Sequence, residues 1–233
     1  MRLFYAPDIQ GENYIFSESE SKHIAKVLRL NVGDALFITD GKGSFYEAQI
    51  SDVSAKQCQV QIIRKTVEKK HSYYLHVAIA PTKNIDRYEW FLEKATEIGI
   101  DEITPLVTHN SERKVVKEDR LQKVLEAAMK QSYKAYHPKL NPLTSWSEFL
   151  KNKDEYDINL IAHCYESNKH SMKQSIQAGA SVLVLIGPEG DFTLEELAEA
   201  EQAGFLPLSL GSYRLRTETA GLVAVQNVAF INQ

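Results

Sequence analysis

The chain has 233 residues, with 27 Lys and Arg against 31 Asp and Glu, a net charge of −4, 43% hydrophobic residues and 25% charged residues. That is an ordinary globular composition, with length for one large domain or two small ones. No run approaches the roughly 20 apolar residues that cross a bilayer, and the two cysteines, Cys58 and Cys164, have neither metal-ligand spacing nor a disulfide framework.

The first sixteen residues, MRLFYAPDIQGENYIF, lack the long apolar core of a signal peptide. A cytoplasmic protein with two buried, reduced thiols and no metal is therefore expected. Residues 1–70 are β-rich. Residues 35–38, 45–50 and 57–63 alternate or run apolar at strand length, and Asp40-Gly41-Lys42-Gly43 is a hairpin signal. Ile24, Val27 and Leu28 fall at helical spacing, with Asn31 and Gly33 as stop signals. This predicts a small barrel with one helical turn. The polar bridge 65–71, KTVEKKH, marks the domain boundary.

Beyond it strands alternate with helices. Strands are predicted over 75–80, 103–107, 158–162, 182–186 and 205–210. Helices are predicted over 85–98 with Gly99 past the end, 118–136 stopped by His137-Pro138, 194–203 and 219–230. The β-branched runs at 158–162 and 182–186 suit buried parallel strands, so βαβ units and a mostly parallel sheet follow.

Three segments stand out. In VLVLIGPEGDFT, from Val182 to Thr193, a buried strand ends in a turn with two glycines and a helix begins, Thr193 and Glu196 forming a capping box. Ligands of parallel sheets bind at such strand ends. The segment is neither a dinucleotide fingerprint nor a P-loop, and it reads equally as a structural turn or a binding loop. In LSLGSYRLRTETA, from Leu208 to Ala220, Thr217, Glu218 and Thr219 suit a helix N-terminus. Arg214 and Arg216 do not, unless something anionic is nearby, which gives Arg216 a functional reading. On the helix from Glu118, the apolar face Leu121, Val124, Leu125, Ala128 reaches the polar Gln131 and Ser132, which can satisfy a backbone group or line a pocket or subunit contact. This region, 111–140, carries eight basic side chains against four acidic; 141–233 carries six against twelve. A basic stretch can track phosphates, though charge alone favours a solvated helix face.

Together GPEGDF, LGSYRLRTETA and EAAMKQSYKAYHP resemble the RsmE family of the SPOUT methyltransferase superfamily. HIAKVLRLNVGD and PTKNIDRYEWFLEKATEIGIDEITPLVTHNSER are also similar to it, so the resemblance covers nearly the whole chain in order. It implies an α/β fold: a SPOUT α/β trefoil-knot methyltransferase domain over 74–233 with an N-terminal PUA-like RNA-binding β-barrel over 1–70. It implies a homodimer that binds S-adenosylmethionine and methylates N3 of a uridine in 16S rRNA of the small ribosomal subunit. Carried over residue by residue, it places Ile186, Gly187, Pro188, Glu189 and Gly190 in a first cofactor loop. Leu210, Gly211, Leu215, Arg216, Thr219 and Ala220 fall in a second, and Ala162 and His163 on a third wall. For that reaction Arg216 is the catalytic candidate that holds the uracil oxygens and favours the anion, and Glu218 is either the nearest base by sequence, an orienter of Arg216 or a helix cap; Arg29, Lys83 and Arg113 are the implied RNA contacts. Asp191 stands where the family usually has Gly, and Lys134 where an Arg is common. A SPOUT enzyme with another RNA target, or a non-enzymatic assembly factor on the same fold, is the alternative.

Overall fold

The computed structural model describes residues 2–233, which divide into two compact units. The first comprises residues up to Lys70 together with Met129–His137. Its five-stranded sheet is built from β1 (Leu3–Tyr5), β2 (Asn13–Ile15), β3 (Ala35–Thr39), β4 (Ser44–Val53) and β5 (Cys58–Val67), in the order β1-β3-β4-β5-β2. Alternate residues Leu36 and Ile38, then Tyr46, Ala48 and Ile50, point into one core with Phe4, Phe16, Ile24 and Val60. Asp40 closes the β3–β4 hairpin, its carboxylate accepting the amides of Lys42 and Ser44 at 2.8 and 3.0 Å. A short helix α1 (Glu18–Lys22) runs into a π-helical turn, His23–Val27. β5 continues to Val67, so the first three residues of the bridge expected as a linker are strand.

The second unit holds β6 (Tyr74–Ile79), α2 (Ile85–Ile98), β7 (Glu102–Val107), most of α3 (Glu118–Gln131), β8 (Lys139–Leu140), β9 (Thr144–Ser145) and α4 (Trp146–Asn152). There follow β10 (Ile158–Ala162), β11 (His170–Ser171), α5 (Met172–Ser175), β12 (Ser181–Ile186), α6 (Leu194–Gln202), β13 (Leu206–Ser209) and α7 (Thr217–Ile231). The sheet order is β11-β13-β10-β12-β6-β7-β8, with β9 beside β7, and every pairing is parallel. Both faces are covered, as a parallel sheet requires. Leu75, Val77, Ile79, Val182, Val184 and Ile186 pack against Tyr88, Phe91 and Leu92 of α2 and Ala224, Val225 and Val228 of α7. Ala78, Leu183 and Leu185, one residue out of phase, pack on Trp146, Phe149, Ala200 and Phe205 on the other face. After the β13 strand the chain crosses back, so that α7 lies on β6, β12 and α2.

Three expectations are corrected. The long helix ends at Gln131, not at residue 136. Tyr133 takes a left-handed φ of +54°, and Ala135 donates its N–H to the Glu68 carboxylate while its carbonyl accepts from Gly43. These nonlocal partners replace the helical ones. Gln131 is exposed rather than on the buried face. Cys164 is exposed, because β10 has already ended at Ala162; only Cys58 is buried.

Candidate active site

At the carboxyl ends of β10, β12 and β13 the loops enclose a cavity of about 770 Å³, where open α/β sheets bind their ligands. Its first wall is Ile186, Gly187, Pro188, Glu189 and Asp191; its second is Leu208 through Thr217 with Ala220; its third is Ala162, His163, Cys164 and Lys169. The walls are tied together. Thr217 starts α7 but does not cap it; its Oγ1 donates to the carbonyl of Gly187 at 3.1 Å, joining second loop to first. Arg214 Nη2 approaches the carbonyl of Glu189 at 3.4 Å. Gly211 has φ +129°, a backbone state that a side chain would strain.

Of the sequence-derived cofactor residues, Gly190 and Thr219 do not line the cavity. The catalytic candidates part company. Arg216 lines the cavity at the N-cap of α7, exposed, and among the described residues no hydrogen bond or ion pair engages its guanidinium. Glu218 is buried and faces Arg87 of α2, Oε1 to Nε 3.9 Å. Lys83 is paired with Glu112 at 2.8 Å, which raises its pKa. Arg113 donates to the carbonyls of Thr82 and Lys83. Arg29, exposed in the first unit, has a left-handed φ of +55°. Sequence reasoning missed Lys169 and Tyr213 as lining residues: the first lies in a stretch with no periodic pattern. Among the described residues no group of three or more His, Cys, Asp or Glu is placed to hold a metal.

Residues 68–229 match the family model described as an RNA methyltransferase domain, and residues 16–63 the RNA methyltransferase PUA domain. The chain belongs to the RNA methyltransferase family, in its RsmE branch. A probable rRNA-methyltransferase from Porphyromonas gingivalis is 40% identical, with a TM-score of 0.93 over 100% of this chain and 98% of that one. A methyltransferase from Legionella pneumophila, solved with bound S-adenosylmethionine, is 28% identical with a TM-score of 0.88 over 99% and 97%. The Bacillus subtilis ribosomal RNA small subunit methyltransferase E is 26% identical over 95% of this chain and 91% of its own length. The fold is thus the SPOUT α/β fold with an N-terminal PUA domain.

The residues present fit the family's cofactor. The RsmE-type cavity offers apolar surface from Ile186, Leu208, Leu210, Leu215 and Ala220 beside backbone groups of two glycine-bearing loops, the mixed lining that a nucleoside requires. On the third wall, Nδ1 of His163 is buried without a protein partner, and such a group calls for a polar ligand atom or water. Burial, then the charge of Lys169, lower the pKa of that histidine against the opposing effect of Asp191, so its imidazole is neutral near pH 7.

Proposed function

We infer that this cavity binds S-adenosylmethionine and that the protein methylates N3 of a uridine in 16S rRNA of the small ribosomal subunit. The observation that carries the reading is the convergence of the GPEGD and LGSYRLR loops on one cavity in an RNA methyltransferase domain. The name of the Bacillus subtilis relative and the cofactor in the Legionella structure support it. When bound, the cofactor supplies a methyl group on a sulfonium. The chain's part is to align the acceptor and to stabilise charge.

Uracil N3 carries a proton, and its loss to solvent water leaves an anion spread over the flanking oxygens. Arg216 is suited to hold those oxygens, since its donors are uncommitted and reach the cavity. Glu218 is suited to a supporting role: its carboxylate balances Arg87 and occupies the first turn of α7, where a negative charge is favourable. Arg29, with Lys83 at the mouth of the second unit's 82–84 loop, supplies cations for RNA phosphates, the first unit acting as a PUA-like RNA-binding domain over 1–70 and residues 74–233 as the methyltransferase.

The same reading makes the protein a cytoplasmic homodimer. No helix among the described residues is long and apolar enough to cross a membrane. Helix α7 leaves Phe230 68% exposed and Leu222 and Val223 half-buried, an apolar face suited to a second copy. Sedimentation of the pure protein tests this.

The deciding experiment incubates labelled S-adenosylmethionine with unmethylated small subunits and with bare 16S RNA, followed by nucleoside mass spectrometry. Label on uridine N3 is expected, and label nowhere refutes the reading. Arg216→Ala should keep the fold and cut transfer by roughly 100-fold or more, the scale of a lost charge-stabilising donor. Full activity in that variant removes Arg216 from the mechanism.

A further inference from the structure

The segment after β7, residues 108–113 (THNSER), lines no part of the cavity, yet its hydrogen bonds converge on the first wall. Asn110 donates Nδ2 to the carbonyls of Gly190 and Asp191, each at 3.1 Å. Gly190 favours this approach, since a Cβ there would stand 3.0 Å from that of Asn110 and push it back by a few tenths of an ångström. The amide of His109 donates to Oε1 of Glu196 at 2.8 Å. Oε2 of the same carboxylate accepts the amide of Thr193 in the capping box that opens α6.

Arg113 acts one step further back. Its Nε donates to the carbonyl of Thr82 at 3.0 Å and its Nη2 to that of Lys83 at 2.7 Å. The amide of Lys83 then donates to Oε1 of Glu189 at 3.0 Å, and Glu189 lines the cavity. Two of the three guanidinium nitrogens are thus committed to backbone carbonyls. A loop of Gly, Pro, Glu and Gly has little internal hydrogen bonding of its own, and its polar backbone groups must find partners elsewhere. A displacement of about 1 Å at such a wall is enough to cost a reaction roughly 100-fold.

We propose that residues 108–113 are a clamp that sets the shape of the first cofactor loop, with Asn110 and Arg113 as its positioning residues. The proposal rests on reading the cavity as the S-adenosylmethionine site, and it moves Arg113 from contacting RNA to holding the pocket.

The test compares Asn110→Ala, Arg113→Ala and Arg113→Lys with the wild type by three measurements. These are amide hydrogen exchange without cofactor, calorimetric binding of S-adenosylmethionine, and RNA binding as a function of salt. Exchange at residues 187–191 should rise in all three variants while β12 stays protected. Cofactor affinity should fall about tenfold, the scale of one or two lost side-chain hydrogen bonds. RNA affinity should hold. Lys should not rescue Arg113, because an ammonium cannot reproduce a planar fork aimed at two carbonyls. Unchanged exchange at 187–191 overturns the clamp. So does a salt slope reduced by about one with cofactor affinity intact, the mark of a lost phosphate contact. If Arg113→Ala fails to fold, Asn110→Ala removes the direct arm alone and decides the matter. Absence of heat from the wild type with S-adenosylmethionine would sink the cofactor reading instead, while the exchange data still judge the clamp.

Discussion

Asp191 binds the third wall of the cavity to the first: its Oδ2 accepts the backbone N–H of Cys164 at 2.7 Å while Oδ1 accepts that of Phe192 at 2.8 Å. It does so from a left-handed backbone, φ +65°. Asp is among the few side chains that tolerate such a φ.

Substitutions here separate backbone from side chain. Asp191→Gly frees the φ but loses both hydrogen bonds; Asp191→Ala loses the bonds and keeps the strain. Ala should therefore be the less stable of the two by about 1 kcal/mol, and about 2 kcal/mol below the wild type. Both should weaken cofactor binding. Denaturant titrations check the order, and equal stability of Ala and Gly would remove strain from the account.

Gly221 in α7 shows a different demand. Ala normally stabilises a helix interior by about 1 kcal/mol over Gly. Here the added Cβ would lie 2.7 Å from Ile79 Cδ1 and 2.7 Å from Phe91 Cε2, both side chains fully buried. Packing wins, and Gly221→Ala should lose about 1–3 kcal/mol by overpacking, read as a lowered Tm.

Arg29 ends the π-helical turn in a conformation that suits Gly. Arg29→Gly is expected to raise stability by up to about 1 kcal/mol and to weaken RNA binding with a shallower salt dependence. Thermal melts and filter binding at several salt concentrations check both signs. Unchanged RNA affinity would leave the strained arginine without a role.

The second unit carries a buried polar network that makes its stability depend on pH. His76 bonds Tyr156 Oη at 2.8 Å and Thr104 Oγ1 at 2.7 Å, and burial lowers its pKa from 6.5 to about 4. The unfolded chain then binds the proton first. Stability is fully present above pH 6.5 and falls as pH drops toward 4, by about 3 kcal/mol in all. For Glu102, burial pushes the pKa up. Hydrogen bonds from Lys139 and Tyr74, the His76 charge and the bond from Asn141 outweigh it and hold the pKa at about 2. Its contribution is lost between about pH 4.5 and 2. Unfolding free energies across pH should show both limbs, and His76→Phe should abolish the upper one; an unchanged slope between pH 6.5 and 4 in that variant refutes the assignment.

Much of the fold was legible because local rules govern it. The runs at 158–162 and 182–186 form β10 and most of β12, helix 85–98 matches α2, and the Thr193–Glu196 capping box is made as its spacing predicts. The short strands β8, β9 and β11 were not legible, since two residues show no period. Of the site, both glycine loops could be read from Gly, Pro and helix-start chemistry. The roles of Glu218, Asp191 and Arg113 could not, because each side chain finds its partner on another element.

Periodicity, caps and turn residues by themselves determined where most strands and helices lie, and that two glycine-bearing loops leave strand ends and run into helices. They act between residues a few positions apart, where the chain's own geometry brings groups together. Only the tertiary structure decided that α3 stops at Gln131 for a bond between Ala135 and Glu68, that Thr217 closes on Gly187, and that Arg113 turns inward to Thr82 and Lys83. Those choices belong to hydrogen bonds between groups that meet only after the sheet has assembled, where an unpaired polar group in a buried place costs more than a lost local turn.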